Sequence, residues 1–240
     1  MILKVKSLAM KSYKWLKGSF PISISKVFDV LLLNKYTDET GEGYVLNKLR
    51  ESYISGRYIQ RKYQVIDVLD PYGNKSEVEV INYLTIFFTI FESKDWFIEI
   101  ENPGRSITPF INNLSRIFGF GFHITELSMD LEKILTTLDI EFGSHRLSKI
   151  EITNINLENK GVGSLIIKSE FDARDIINND IIKYTDYKFK LFKTYIDSYE
   201  DSKGWIEVKS NGSLTISNIP VSQFMNMFRK LLVTNGFFSN

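Results

Sequence analysis

The chain has 240 residues, 43% hydrophobic and 25% charged, proportions that allow a packed core and exclude extensive disorder. A net charge of +1 gives no overall pull toward nucleic acid or membrane, and no run of about 18 apolar residues offers a membrane helix. With no cysteine, disulfides, Fe–S clusters, cysteine zinc sites and cysteine nucleophiles are excluded, and a soluble cytoplasmic location is the expectation.

Lys4, Lys6, Lys11, Lys14 and Lys17 precede any acidic residue and interrupt every apolar run, so no signal-peptide core can be drawn. Residues 2–10 alternate loosely and predict a first strand. From Ile22 to Leu33, Val27, Phe28, Leu31 and Leu32 recur at helical spacing behind Ser23 or Ser25 as N-cap. Thr37–Gly43 is a polar loop, and Tyr44–Tyr53 reads as a short helix with Val45, Leu46 and Leu49 on one side.

The period then changes. Arg57–Leu69 is rich in β-branched and aromatic residues, Asp70-Pro71-Tyr72-Gly73-Asn74 carries turn chemistry, and Glu77–Phe91 follows as a long strand. Val78, Val80, Leu84, Ile86, Phe88 and Ile90 share one face of it. The other face becomes apolar at Ile81, Tyr83, Phe87 and Phe91, which predicts a central strand covered on both sides over its second half. After Ser93-Lys94-Asp95, a strand from Trp96 buries Trp96, Ile98 and Ile100 and exposes Glu99 and Glu101. A helix with Thr108 as N-cap and Pro109 at its first position runs to Gly119. A short edge strand within Gly119–Leu127 and a helix over Ser128–Leu138 follow.

The second half predicts strands at Leu147–Leu157, Val162–Glu170, Tyr187–Ile196, Trp205–Val208 and Leu214–Ile216, with helices at Asp172–Ile182 and Pro220–Leu232. The stripe Ile107, Phe110, Ile111, Leu114, Ile117, Phe118 superimposes without a gap on Val221, Phe224, Met225, Phe228, Leu231, Leu232, and a Trp-led strand precedes each. The fold class is therefore α+β: antiparallel sheet with helices packed on one face, built as two pseudo-repeated hairpin-plus-helix halves, 1–140 and 141–240, either separate or in one compact domain. Trp96 and Trp205 are expected to be buried in comparable positions.

Functional motifs are sparse. The two histidines, His123 and His145, have no acid at metal-ligand spacing and read as ordinary strand or surface residues. Gly119-Phe120-Gly121 and Gly161-Val162-Gly163 lack the context of a phosphate-binding loop. Asp172 and Asp175, after Glu170, read as an N-cap and a first-turn acid. Asp197 or Asp201 with Glu207-Val208-Lys209 resembles the PD-(D/E)xK nuclease core, which implies Mg²⁺ on the carboxylates and a lysine positioning water. Under that alternative Asp197, Glu207 and Lys209 are catalytic; otherwise no cofactor and no catalytic residue is expected. Two basic-aromatic strands offer a nucleic-acid contact, through Arg57, Arg61, Lys62 and Tyr63 and through Lys188 and Lys190.

By elimination, the sequence points to a non-enzymatic binding or scaffold subunit of a larger intracellular assembly that recognises a protein or nucleic-acid partner. The Asn-, Ile- and Lys-rich composition is compatible with a prokaryotic accessory or antiviral defence system. The alternatives are the metal-dependent nuclease and a homo-oligomeric structural protein pairing through exposed sheet edges.

Overall fold

The computed structural model describes residues 10–50, 53–143, 145–157, 161–177, 187–196, 204–217 and 221–233. Outside these lie residues 2–9 of the strand predicted over 2–10, the Asn159-Lys160 turn, the end of the helix predicted to Ile182, and Asp197 and Asp201. The elements run β1 (Lys11–Ser19), α1 (Ile24–Leu33), β2 (Glu42–Arg50), β3 (Tyr53–Leu69), β4 (Lys75–Glu92), β5 (Trp96–Glu101), α2 (Thr108–Phe118) and β6 (His123–Glu126). They continue α3 (Leu131–Phe142), β7 (His145–Leu157), β8 (Gly161–Lys168), α4 (Ala173–Ile176), β9 (Lys188–Ile196), β10 (Gly204–Lys209), β11 (Ser213–Ser217) and α5 (Val221–Val233). The chain is α+β with antiparallel strand pairs, and none of the described helices is long and apolar enough to cross a membrane. It divides into two compact units, residues 17–125, and residues 1–16 together with 126–240.

In the unit of residues 17–125, β2, β3, β4 and β5 form an antiparallel meander. Its helix-covered face is aromatic. Phe110 of α2 stacks on Phe88 at 5.1 Å and lies 5.8 Å from Tyr58, and Tyr44 packs against both tyrosine and phenylalanine rings. Val27 and Leu31 of α1 are buried in the same unit. Gly119 ends α2 at φ 61°, a conformation that suits glycine.

Three expectations are corrected here. Residues 44–50 form a strand, not a helix: cross-strand pairing with β3, from Glu42 opposite Gln60 to Arg50 opposite Tyr53, overrides weak helical spacing. The second face of β4 is not covered, since Ile81, Tyr83 and Phe87 are exposed while Phe91 alone is buried. Glu99, expected outside, is 4% exposed because β5 is enclosed on both faces along Phe97–Ile100.

In the other unit the strand order is β8, β7, β9, β10, β11, with β11 also paired to residues 11–14 of β1. Alternation decides the faces: Ile206, Val208, Leu214 and Ile216 are buried, while Trp205, Glu207, Lys209 and Thr215 are not. Trp15, fully buried, stacks on Phe228 of α5 at 5.2 Å, and Phe224 bridges to Phe142 of α3. Trp15 is thus the core tryptophan. Trp96 and Trp205 are only half-buried: Trp96 meets Phe20 at 4.7 Å, and Trp205 lies on the opposite face from the buried side chains of β10, under the ammonium of Lys193.

Candidate interaction surface

The feature that sets this chain apart is the hairpin of β3 and β4. Its 17 paired positions run from Tyr53 opposite Phe91 to Leu69 opposite Lys75, far beyond the five or six residues of an ordinary strand. β2 flanks it only as far as Gln60, and β5 only as far as Phe87. Beyond those points β3 and β4 continue as a two-stranded ribbon, and among the described residues no strand pairs with either outer edge. Nine residues of extended chain reach about 30 Å.

The ribbon closes on built turn chemistry. The Asp70 carboxylate accepts from the backbone N–H of Tyr72 and Asn74 at 2.8 and 2.9 Å and from the Asn74 side-chain amide at 2.8 Å, while Gly73 takes φ 85°. Those hydrogen bonds hold the Asp70 carboxyl below its ordinary range. The tip is therefore specified locally, although the ribbon has little to rest on.

Both of its faces are apolar in part. One carries Tyr63, Val65, Leu69, Ile81 and Tyr83, with Tyr63 57%, Leu69 62% and Ile81 49% exposed; the other carries Ile66, Val68 and Val78, also exposed. Residues 61–83 hold three basic side chains (Arg61, Lys62, Lys75) against four acidic ones (Asp67, Asp70, Glu77, Glu79). Arg61 and Lys62 stand at the base, and the four acids lie toward the tip, where Lys75 is the one cation among them.

At the base, the predicted basic residues are placed differently from one another. Arg57 and Lys62 are exposed, on opposite faces of β3. Arg61 is half-buried: its guanidinium donates to the Asp38 carbonyl at 2.8 Å and lies 5.2 Å from the Tyr63 ring. Lys62 lines a cleft of about 430 Å³ with Glu42, Gln60, Thr108, Asn113 and Arg116. Within it Tyr58 and Arg116 both donate to the Glu42 carboxylate, and Tyr44 donates to Asn113 at 2.7 Å. Burial pushes Glu42 upward, but those two donors and the Arg116 charge prevail and hold its carboxyl below the ordinary value. Burial, with the neighbouring Glu42 charge, drives the Tyr44 and Tyr58 hydroxyls far up, so both stay protonated donors. This is a satisfied polar brace. Sequence reasoning missed it because Tyr44 was read as helical and Glu42 as loop.

Lys188 and Lys190 belong to the other unit. Lys188 is exposed, and both line a cleft of about 500 Å³ beside Asp130 and Glu132. Lys190 donates to Glu151 at 2.6 Å. Glu207, half-buried on the polar face of β10, lies 3.6 Å from Lys209 and opposite Lys193. The third member of the nuclease trio, Asp197, lies outside the described residues, and among those described no cluster of three His, Asp or Glu side chains could hold a metal. On the same face Lys193 sits 3.8 Å above Trp205, and Arg146 lies 5.2 Å from the Tyr195 ring.

His123 is exposed on β6. His145 is buried at the start of β7, with Nδ1 3.2 Å from the Gly143 carbonyl and 3.4 Å from Asp139, whose carboxylate also takes Arg174. Asp172 caps α4 as read, accepting from the Arg174 backbone N–H at 2.9 Å. The arrangement ties α3, α4 and β7 together, while His145 Nε2 is buried without a hydrogen-bond partner.

The chain matches no protein-family model and no curated protein.

Proposed function

We propose that this chain is a non-enzymatic binding or scaffold subunit whose recognition element is the β3–β4 ribbon. One observation carries the reading: the ribbon exposes apolar side chains on both faces over some nine residues of each strand. A lone two-stranded hairpin is marginal in water, and bare edges carrying Tyr, Val, Ile and Leu invite pairing with another chain. A protein partner fits better than nucleic acid. The ribbon beyond Arg61 is net acidic, and Lys190 and Lys209 elsewhere are matched by Glu151 and Glu207. The gapless match between the stripes of α2 and α5 supports reading the scaffold as a duplicated hairpin-plus-helix, with a rearranged strand order in the later copy.

The test compares the intact chain with a variant in which residues 62–82 are replaced by a short turn. Affinity capture should recover a specific partner with the intact chain only, while circular dichroism shows the shortened variant still folded. Identical captured sets would overturn the reading. So would Mg²⁺-dependent cleavage of DNA or RNA that Glu207→Ala abolishes.

A further inference from the structure

The ribbon suits a protein, but the polar sheet face of the other unit has a different character. Residues directly opposed on neighbouring strands share a face, so the register orders that face in rows. One row runs Lys168, Lys149, Lys193, Glu207 across β8, β7, β9 and β10. The row beside it runs Arg146, Tyr195, Trp205. A bulge at Ser148 is what puts Arg146 and Lys149, three residues apart, on one side of β7. None of these seven side chains is buried, whereas Ile150, Phe192 and Val208 on the opposite face all are.

The first row is costly to a sheet with nothing on it. Lys149 has a lysine directly opposite it on both neighbouring strands, and like charges so placed destabilise the pairing. Opposed Cα atoms stand about 5 Å apart, so the three lysines spring from a line of about 10 Å. Other cations of this face are matched: Lys14 by Glu126, Lys190 by Glu151 and Lys209 by Glu207. Among the described residues Arg146, Lys149, Lys168 and Lys193 pair with no carboxylate. Lys193 instead holds its ammonium 3.8 Å from the centre of the Trp205 ring, and the Tyr195 ring lies 5.2 Å from the Arg146 guanidinium.

We propose that this face binds single-stranded nucleic acid, at a site independent of the ribbon. Phosphates take the row Lys168–Lys149–Lys193 and relieve its repulsion, and bases stack on the half-exposed rings of Tyr195 and Trp205. A phosphate that draws the Lys193 ammonium aside uncovers the Trp205 ring for a base. The rings decide between occupants: an acidic protein answers the lysines alone, and a duplex keeps its bases stacked on each other. The sequence placed such a contact at Lys188 and Lys190 on the same strand, but Lys190 is committed to Glu151, and the unmatched charge lies further along, at Lys193 and its neighbours.

The experiment titrates the full chain into labelled oligothymidylate, without divalent cation, and reads fluorescence anisotropy. Each engaged cation contributes about 0.7 to the salt slope, so four predict a loss of about fifty-fold in affinity between 50 and 200 mM salt. Lys149→Gln should weaken binding about eightfold at 50 mM salt, the share of one contact. The same substitution removes two lysine–lysine oppositions, so its urea midpoint should be no lower than the parent's, and the loss cannot come from unfolding. Trp205→Leu should cost about tenfold for one lost stack. Lys133→Gln, on α3, should change nothing. Absence of binding at 50 mM salt overturns the proposal, as does binding that salt or Lys149→Gln leaves unchanged. A duplex bound as tightly as the single strand overturns it too. So does polyglutamate bound as tightly as oligothymidylate and indifferent to Trp205→Leu, which assigns the face to an acidic protein.

Discussion

The hydroxyl of Tyr44, on β2, donates to the side-chain oxygen of Asn113, on α2, at 2.7 Å, and both residues are buried. This bond fixes the helix over the sheet at the root of the ribbon. Tyr44→Phe keeps the ring in its aromatic cluster but leaves the Asn113 oxygen without its donor. The expected cost is about 1–3 kcal/mol in urea unfolding, the range for an orphaned buried polar group. Tyr58→Phe, whose partner Glu42 is only half-buried and keeps Arg116, should cost less.

A second prediction concerns Gly212 in the β10–β11 turn. Its carbonyl accepts the Trp15 backbone N–H at 2.8 Å, and its φ is 81°. A Cβ there would stand 2.6 Å from the Trp15 carbonyl oxygen and 3.1 Å from Leu127 Cβ. Gly212→Ala should therefore destabilise by more than the roughly 1 kcal/mol of an unfavourable backbone region alone. Calorimetry should show a lowered unfolding temperature, and Gly104→Ala, where nothing stands within 4 Å, should leave it nearly unchanged.

Much of this architecture was legible in the chain. Turn residues at 70–74, a proline in the first turn of α2, Asp172 as cap and the apolar stripes of α2 and α5 each express a local preference that tertiary context did not oppose. Thr108, expected as the N-cap, is instead the first helical residue behind Ile107, and no side chain caps α2. Tyr44–Arg50 misled because its spacing satisfies both periods, and only the partner strand decides between them. The ribbon misled for a related reason. Ile81, Tyr83 and Phe87 look like the second buried face of a central strand, and sequence alone does not reveal that β5 ends its pairing at Phe87. The signal available was length: strands of 17 and 18 residues outrun any ordinary sheet.

Acid should loosen the unit of residues 17–125 through Glu42. Its carboxyl is held below the ordinary value when folded, so ionised Glu42 adds stability that is complete above the unfolded carboxyl pKa. That contribution is lost as pH falls below the ordinary glutamate value and through the lower folded one. Glu42→Gln cannot titrate. The difference in unfolding free energy between pH 7 and pH 3 should be smaller for it than for the parent chain.

The division between body and ribbon makes a final contrast. Phe88 and Ile81 lie on β4 seven residues apart, yet Phe88 is buried beneath Phe110 whereas Ile81 is half-exposed opposite Tyr63. Phe88→Ala removes a ring from a packed cluster and should cost about 3–5 kcal/mol. Ile81→Ser removes surface that water already reaches, so unfolding of the dilute chain should change by no more than about 0.5 kcal/mol. Urea melts at low protein concentration read this directly. Should Ile81→Ser cost as much as Phe88→Ala, the outer half of β4 would be core, and the ribbon would have no free face to offer a partner.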